Sequence, residues 1–310
     1  MQAGRRLILR YAAVLCVALI AGCSAAPKLV QQETILVGGA TGRQGAAVVK
    51  ELLARGYQVR ALTRKPDSKK ALALVGPGVE IVQGDYGDID SLGVAMQGID
   101  TVFFYSGFSR NEVVEGKNVV MAARAAGISH LVYSSGAAAE PGKGVAGASK
   151  MQVEEAIVAS GLAYTVFRPV AFMENFDRQQ ARVAKLGIVD SRDPERMLHF
   201  IAIQDIGLFV GEAVDHPGEW QGVAINIASD RMTVAEYVQT ISDVMGRPVA
   251  YNQQPLEEYL AAMPKPLRPL FRWYEDVGYE ADVSGFRQRY PELTSLAQYL
   301  RDTGWENWQE

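Results

Sequence analysis

Thr34-Ile35-Leu36-Val37-Gly38-Gly39-Ala40-Thr41-Gly42-Arg43-Gln44-Gly45 is the stretch on which the fold turns. Its first four residues form a short apolar run, as expected of a strand covered on both faces of a parallel sheet. Glycines follow at 39, 42 and 45. Beyond them Ala46, Val49, Leu52 and Leu53 recur at helical spacing, with Lys50, Glu51 and Arg55 facing out, until Gly56 stops the helix. A glycine loop between a buried strand and an amphipathic helix has a physical use. The first glycine permits a tight turn, the middle one lets backbone approach a diphosphate, and the last lets the helix pack on the strand, while free helix N–H groups face the anion. Gly39, Thr41, Gly42, Arg43, Gln44 and Gly45 are therefore candidate ligands of a dinucleotide.

The unit repeats along the chain. Candidate strands at 59–63, 79–82, 101–105, 131–134 and 165–167 alternate with helical patterns at 68–75, 89–96, 113–126 and 150–160. Such alternation predicts an α/β fold, a doubly wound parallel sheet of order 3-2-1-4-5-6 with right-handed crossovers. After Arg168-Pro169 the alternation fails, and aromatic, loop-rich segments at 172–176 and 271–279 predict a smaller α/β lobe over the carboxyl ends of the strands. Between them, 233–245 predicts a helix with Thr233 as N-cap, Glu236 closing a capping box and Gly246 as its stop. Residues 33–170 are thus the nucleotide-binding domain. Residues 171–310 form a mixed region that builds the substrate lobe and contributes to the core.

The tip of the second strand distinguishes the two nicotinamide cofactors. An acid there accepts from a ribose 2′-hydroxyl, whereas a basic group accommodates a 2′-phosphate. The tip reads Thr63-Arg64-Lys65, with the nearest acid at Asp67, so NADP(H) is favoured over NAD, and Arg43 leans the same way by its charge. Asp85, in Gly84-Asp85-Tyr86 after the third strand, either accepts from the adenine amino group or serves as an N-cap or turn residue. Tyr86, and Tyr105-Ser106 after the fourth strand, are expected to line the cofactor's path.

Composition narrows the class. With 310 residues, 48% of them hydrophobic, the chain can bury a full core. The net charge of −4 and the absence of like-charge runs argue against a nucleic-acid partner. Three histidines without ligand spacing, and cysteines only at 16 and 23, predict neither a metal site nor a disulfide framework.

Residues 1–22 read as a signal peptide: Arg5, Arg6 and Arg10 flank an apolar stretch too short to span a bilayer. Leu19-Ile20-Ala21-Gly22-Cys23 resembles a bacterial lipobox, which makes Cys23 the lipidated first residue and 23–32 a tethering linker; the alternative is a buried apolar helix with an incidental cysteine. Arg5-Arg6 fits either a twin-arginine export signal or an ordinary positive n-region. Loss of 1–22 removes three arginines and no acid, taking the charge from −4 to −7. The expected location is the bacterial cell envelope, lipid-anchored on the periplasmic side, with Ser24 hinting at the outer membrane, or the cytoplasm if the signal is not processed. The membrane is met through the lipid anchor only.

Gly39-Ala40-Thr41-Gly42-Arg43-Gln44-Gly45, Ala61-Leu62-Thr63-Arg64, Gly84-Asp85, Ser149-Lys150 and Arg168-Pro169-Val170-Ala171-Phe172-Met173-Glu174-Asn175 occur in that order. Together they resemble the NmrA-like family of atypical short-chain dehydrogenases/reductases over about residues 33–308. The resemblance implies a Rossmann-type domain, a small C-terminal substrate lobe and a cleft between them. Members of that kind include NADP-binding redox sensors, NADPH-dependent quinone reductases and, more distantly, isoflavone-type reductases. The wider superfamily uses a Tyr-x-x-x-Lys pair in which lysine lowers the phenol's pKa and binds the nicotinamide ribose. Lys150 matches the lysine, but Ala146 stands in place of the tyrosine. Lys150 then either assists proton transfer or only holds ribose hydroxyls. Ser134 and Ser135 match the place of a carbonyl-orienting serine, or form a turn that bonds its own backbone. Phe172, Met173 and Asn175 match the segment that closes over the nicotinamide, although Phe172 also reads as core. His199 either faces the cleft or packs beside Phe200 and Ile201.

The expectation is an NADP(H)-binding oxidoreductase acting on a quinone-like or carbonyl small molecule, with Lys150 and Ser135 as catalytic candidates. The alternatives are a non-catalytic NADP(H) sensor with a protein partner and an extended-type dehydrogenase or epimerase of envelope chemistry. The missing tyrosine favours the sensor and weakens the epimerase.

Overall fold

Each apolar run of the first half becomes a strand. A computed structural model describes residues 33–107, 109–139 and 147–306; the leader, Cys23 and Ala146 lie outside them. β1 (Thr34–Val37), α1 (Arg43–Ala54), β2 (Gln58–Thr63), α2 (Lys69–Leu72), β3 (Val79–Gln83), α3 (Ile89–Ala95), β4 (Thr101–Tyr105), α4 (Glu112–Ala126), β5 (His130–Ser134), α5 (Ala148–Ser160) and β6 (Tyr164–Pro169) alternate as expected. The strands pair in parallel in the order β3-β2-β1-β4-β5-β6. Because side chains alternate along a strand, one run feeds two cores. Ile35, Val37, Phe103 and Phe167 pack with Val48 and Leu52 of α1, while Leu36, Phe104, Leu131 and Val166 pack with Leu92, Val120 and Val153 of α3, α4 and α5.

The helix expected over 68–75 is shorter. Ser68 caps α2 by accepting from the Ala71 amide, but Leu74 and Val75 bond back only three residues, so the helix tightens and stops before Gly76-Pro77-Gly78.

Past β6 the chain forms β7 (Ala171–Phe172), α6 (Gln180–Leu186), β8 (Ile188–Asp190) and β9 (Met197–Ile201). It then returns to the large sheet through α7 (Ile203–Asp215), α8 (Pro217–Trp220) and β10 (Val223–Ile227). β10 pairs in parallel with β6 as a seventh strand, beyond the six expected. Its apolar run was hidden because Pro217 and α8 interrupt the helix–strand rhythm before it. α7 lies directly on α1, and glycines make the close contact possible. A Cβ on Gly207 would sit 2.9 Å from the Ala47 carbonyl oxygen, and one on Gly211 would sit 2.4 Å from Arg55 Nε.

The remaining elements are β11 (Asp230–Thr233), α9 (Val234–Met245), β12 (Tyr251–Gln253), α10 (Leu256–Ala262), α11 (Arg268–Asp276), α12 (Val283–Arg289) and α13 (Leu296–Asp302). β7, β9 and β11 form a small sheet, β8 pairs with β12, and Met173, Phe200, Ile241, Leu300 and Trp305 build a third core. The capping box of α9 is present: Thr233 Oγ1 accepts from the Glu236 amide at 3.1 Å and Glu236 Oε2 from the Thr233 amide at 2.8 Å. The segment 271–279, expected as loop, is largely α11, since Pro269 sits in the first helical turn where its missing N–H costs nothing.

Candidate functional site

The glycine loop is built for a close approach. Gly39 has φ +65°, the left-handed region open to glycine, and Gly42 begins α1 without a side-chain cap. The amides of Arg43, Gln44 and Gly45, at the first helical positions, have no partner within the helix. A Cβ on Gly45 would lie 2.2 Å from the Gly39 oxygen, which is why the helix head can sit against the loop. A Cβ on Gly42 would lie 2.0 Å from Tyr105 Oη, and that hydroxyl donates to the Gly39 carbonyl at 3.3 Å. The three glycines thus divide into turn, approach and packing.

Beside this loop lies a cleft of about 590 Å3. Gly39, Thr41 and Gly42 form one part of its wall, and Arg64, Lys65 and Lys70 supply cations around the tip of β2. Arg64 is exposed and makes no ion pair with any described residue. Asp85, Tyr86 and Tyr105 also line the cleft. Asp85 Oδ1 accepts from the Gly87 amide at 2.9 Å, which is the turn role expected as one of its two alternatives. The Tyr86 hydroxyl is buried against Gly38 with no partner among the described residues, and burial holds its pKa well above the usual phenol range.

On the far side of the sheet's carboxyl end the candidates are engaged with one another. Lys150 is buried; its ammonium donates to the Ser106 carbonyl at 2.9 Å and to Glu112 Oε1 at 2.8 Å. Ser106 Oγ donates to the same Glu112 oxygen at 2.9 Å and meets Tyr133 Oη at 2.7 Å, and Ser149 donates to Glu112 Oε2 at 2.5 Å. Burial pushes the Tyr133 phenol upward. Ser135, also buried, donates to Glu154 Oε1, whose carboxylate is clasped by Arg168 at 2.6 Å. Ser134 donates to Gln44 Oε1 at 2.7 Å and so ties the head of α1 to the end of β5. Arg43 points toward the lobe, 3.6 Å from Asp177 and 3.5 Å from the Glu174 carbonyl. Phe172 is half-buried against the first core, whereas Asn175 is exposed. His199 is buried; burial and then the charge of Arg231 lower its pKa, so it is neutral at pH 7. Trp273 packs on Ala138, in the turn after β5, with Tyr279 5.2 Å away centroid to centroid.

One cleft therefore gathers Gly39, Thr41, Gly42, Arg64, Asp85, Tyr86 and Tyr105. Lys150, Ser106, Ser134 and Ser135 sit in buried polar clusters at the ends of β4 and β5. Sequence reasoning passed over Glu112, Lys70 and Glu115. Glu112 and Glu115 resemble ordinary first-turn acids of α4, and no spacing ties Glu112 to Lys150 across 38 residues. Orphan helix amides, glycines packed too closely to carry a Cβ and a basic strand tip together fit a dinucleotide with a phosphorylated adenosine ribose.

The pattern of the NmrA-like family matches residues 31–300. The NAD(P)H azoreductase of Xenophilus azovorans is 30% identical over 234 residues, covering 74% of this chain and 80% of the relative. The crystal structure of the NADPH-dependent quinone oxidoreductase of Escherichia coli complexed with NADPH is similar with a TM-score of 0.77 at 22% identity, covering 86% of this chain and 99% of that one. NmrA, a negative transcriptional regulator, in complex with NADP gives a TM-score of 0.74 at 22% identity over 88% and 95%. At such identities these two structures establish the fold. Matched by the family pattern over most of its length, the chain belongs to the NmrA-like family.

Proposed function

We propose that the protein is an NADPH-dependent oxidoreductase that reduces a quinone-like or carbonyl small molecule. The observation that carries this reading is the basic tip of β2, free of acid, opening into the cleft of the glycine loop. When bound, NADPH supplies a hydride. The amides of Arg43, Gln44 and Gly45 would hold its diphosphate, with Arg64, Lys65 and Lys70 around the 2′-phosphate. No tyrosine stands four residues before Lys150, and the Lys150 ammonium is paired with Glu112. The chain thus offers little side-chain acid, which suits acceptors that need little help with protonation, as quinones do. The names of the azoreductase and quinone oxidoreductase relatives agree with this class.

The same buried Lys150 pair favours a second reading, a non-catalytic protein whose partner surface responds to NADP(H). NADPH oxidation with a panel of quinone, azo and carbonyl compounds separates the two. Turnover with at least one acceptor is expected; tight NADPH binding without any turnover would leave the regulator. We further propose that the leader is cleaved and Cys23 lipidated at a bacterial envelope membrane. Mass spectrometry of the native N-terminus should find acylated Cys23, and an unmodified Met1 would return the protein to the cytoplasm.

A further inference from the structure

The cleft contains a carboxylate that the cofactor reading leaves without a role. Glu115, in the first turn of α4, is half-buried and lines the same cleft as Arg64, Lys65 and Asp85. Its side chain makes no hydrogen bond or ion pair with any described residue. Its backbone is fixed, because the Glu115 amide donates to the Asn111 carbonyl at 2.8 Å. One turn on, Asn118 Nδ2 donates to the Tyr86 carbonyl at 2.9 Å and ties α4 to the chain end of β3. Glu115 is close enough that, after burial and two neighbouring phenols, its charge helps raise the Tyr86 hydroxyl. Asp85, the acid that the sequence offers to the base, already has one oxygen on Gly87.

An unpartnered carboxylate in a cleft made for phosphates repels its ligand unless it meets a donor. The cationic end, Arg64 to Lys70, suits the ribose phosphate. On the purine edge the exocyclic amine is the main donor. We propose that Glu115 accepts a hydrogen bond from the 6-amino group of the cofactor's adenine and makes the site select an amino-purine dinucleotide over a 6-oxo-purine one. A 6-oxo group in the same place sets acceptor against acceptor, and the lactam N1–H beside it meets the carboxylate only if the base shifts along its edge, a mismatch that discriminates between the two purines.

The inference rests on the cofactor reading, and one set of binding titrations tests both separately. Fluorescence titrations would use NADPH and its 6-oxo analogue, reduced nicotinamide hypoxanthine dinucleotide phosphate, with the parent and with Glu115→Gln, which keeps the size and adds a donor. The parent should bind NADPH about tenfold or more tightly than the analogue, and Glu115→Gln should lose about tenfold for NADPH and narrow or reverse the preference. A parent that binds both equally, or a variant that keeps the parent's preference, overturns the role of Glu115 while the cofactor reading stands. A parent that binds neither ligand overturns the cofactor reading itself.

Discussion

At the residue scale, the site is a set of decisions about which polar groups are left for a ligand. The helix-head amides and Arg64 are left available, whereas Lys150, Ser106 and Glu112 satisfy one another in the interior. A buried ion pair is weak evidence of stability as a pair, but removing one partner strands the other charge. Lys150→Met and Glu112→Met should therefore each cost about 3–5 kcal/mol in chemical denaturation, with the double variant less destabilised than either. Additive losses would show that the two groups do not act together. The sequence made the loop legible because glycine identity and spacing are themselves the chemistry. It could not show that Lys150 lies in an internal pair, since Glu112 stands at the head of another helix and only the fold brings the two together.

Among the elements, the contact of α1 with α7 joins the helix that follows the glycine loop to a helix from the second half of the chain. Gly207 permits it, so Gly207→Val should force the helices apart and cost roughly 1–3 kcal/mol. Gly76, where a Cβ meets nothing within 4 Å, is the comparison, and Gly76→Ala should leave the melting temperature nearly unchanged. Equal effects at the two sites would mean that the helices do not need this closeness. The six alternating strands and the capped helix α9 were readable from local pattern. β10 and α11 were not, for in both cases tertiary packing overrode weak local signals: a proline-interrupted approach in one, a proline-rich start in the other.

Across the whole molecule, buried titratable groups set how stability follows pH. His130, at the start of β5, meets Thr165 Oγ1 at 2.9 Å, and that hydroxyl donates to the Trp220 carbonyl at 2.8 Å, so the imidazole Nε2–H is the donor. Burial lowers its pKa to about 4 from the ordinary 6.5. The unfolded chain therefore takes up this proton first, and the stability due to His130 is full above pH 6.5 and is lost as pH falls toward about 4. The loss is on the order of 3 kcal/mol. His199 acts in the same direction, whereas burial raises the carboxyl pKa of Asp205, Asp230 and Glu174, which then favour the folded state as pH falls. A His130→Gln variant should have a flatter stability profile across this window in denaturation at stepped pH; an unchanged slope would assign the titration elsewhere.

In the proposed binding mode one cleft presents helix-head amides to a diphosphate and Arg64 to a further phosphoryl group. Calorimetric titration of the parent and Arg64→Ser with NADPH and NADH tests it directly. The parent should bind NADPH about tenfold or more tightly than NADH, and Arg64→Ser should lose about that factor for NADPH alone. Absence of heat with either nucleotide, or a variant that weakens both equally, would contradict it.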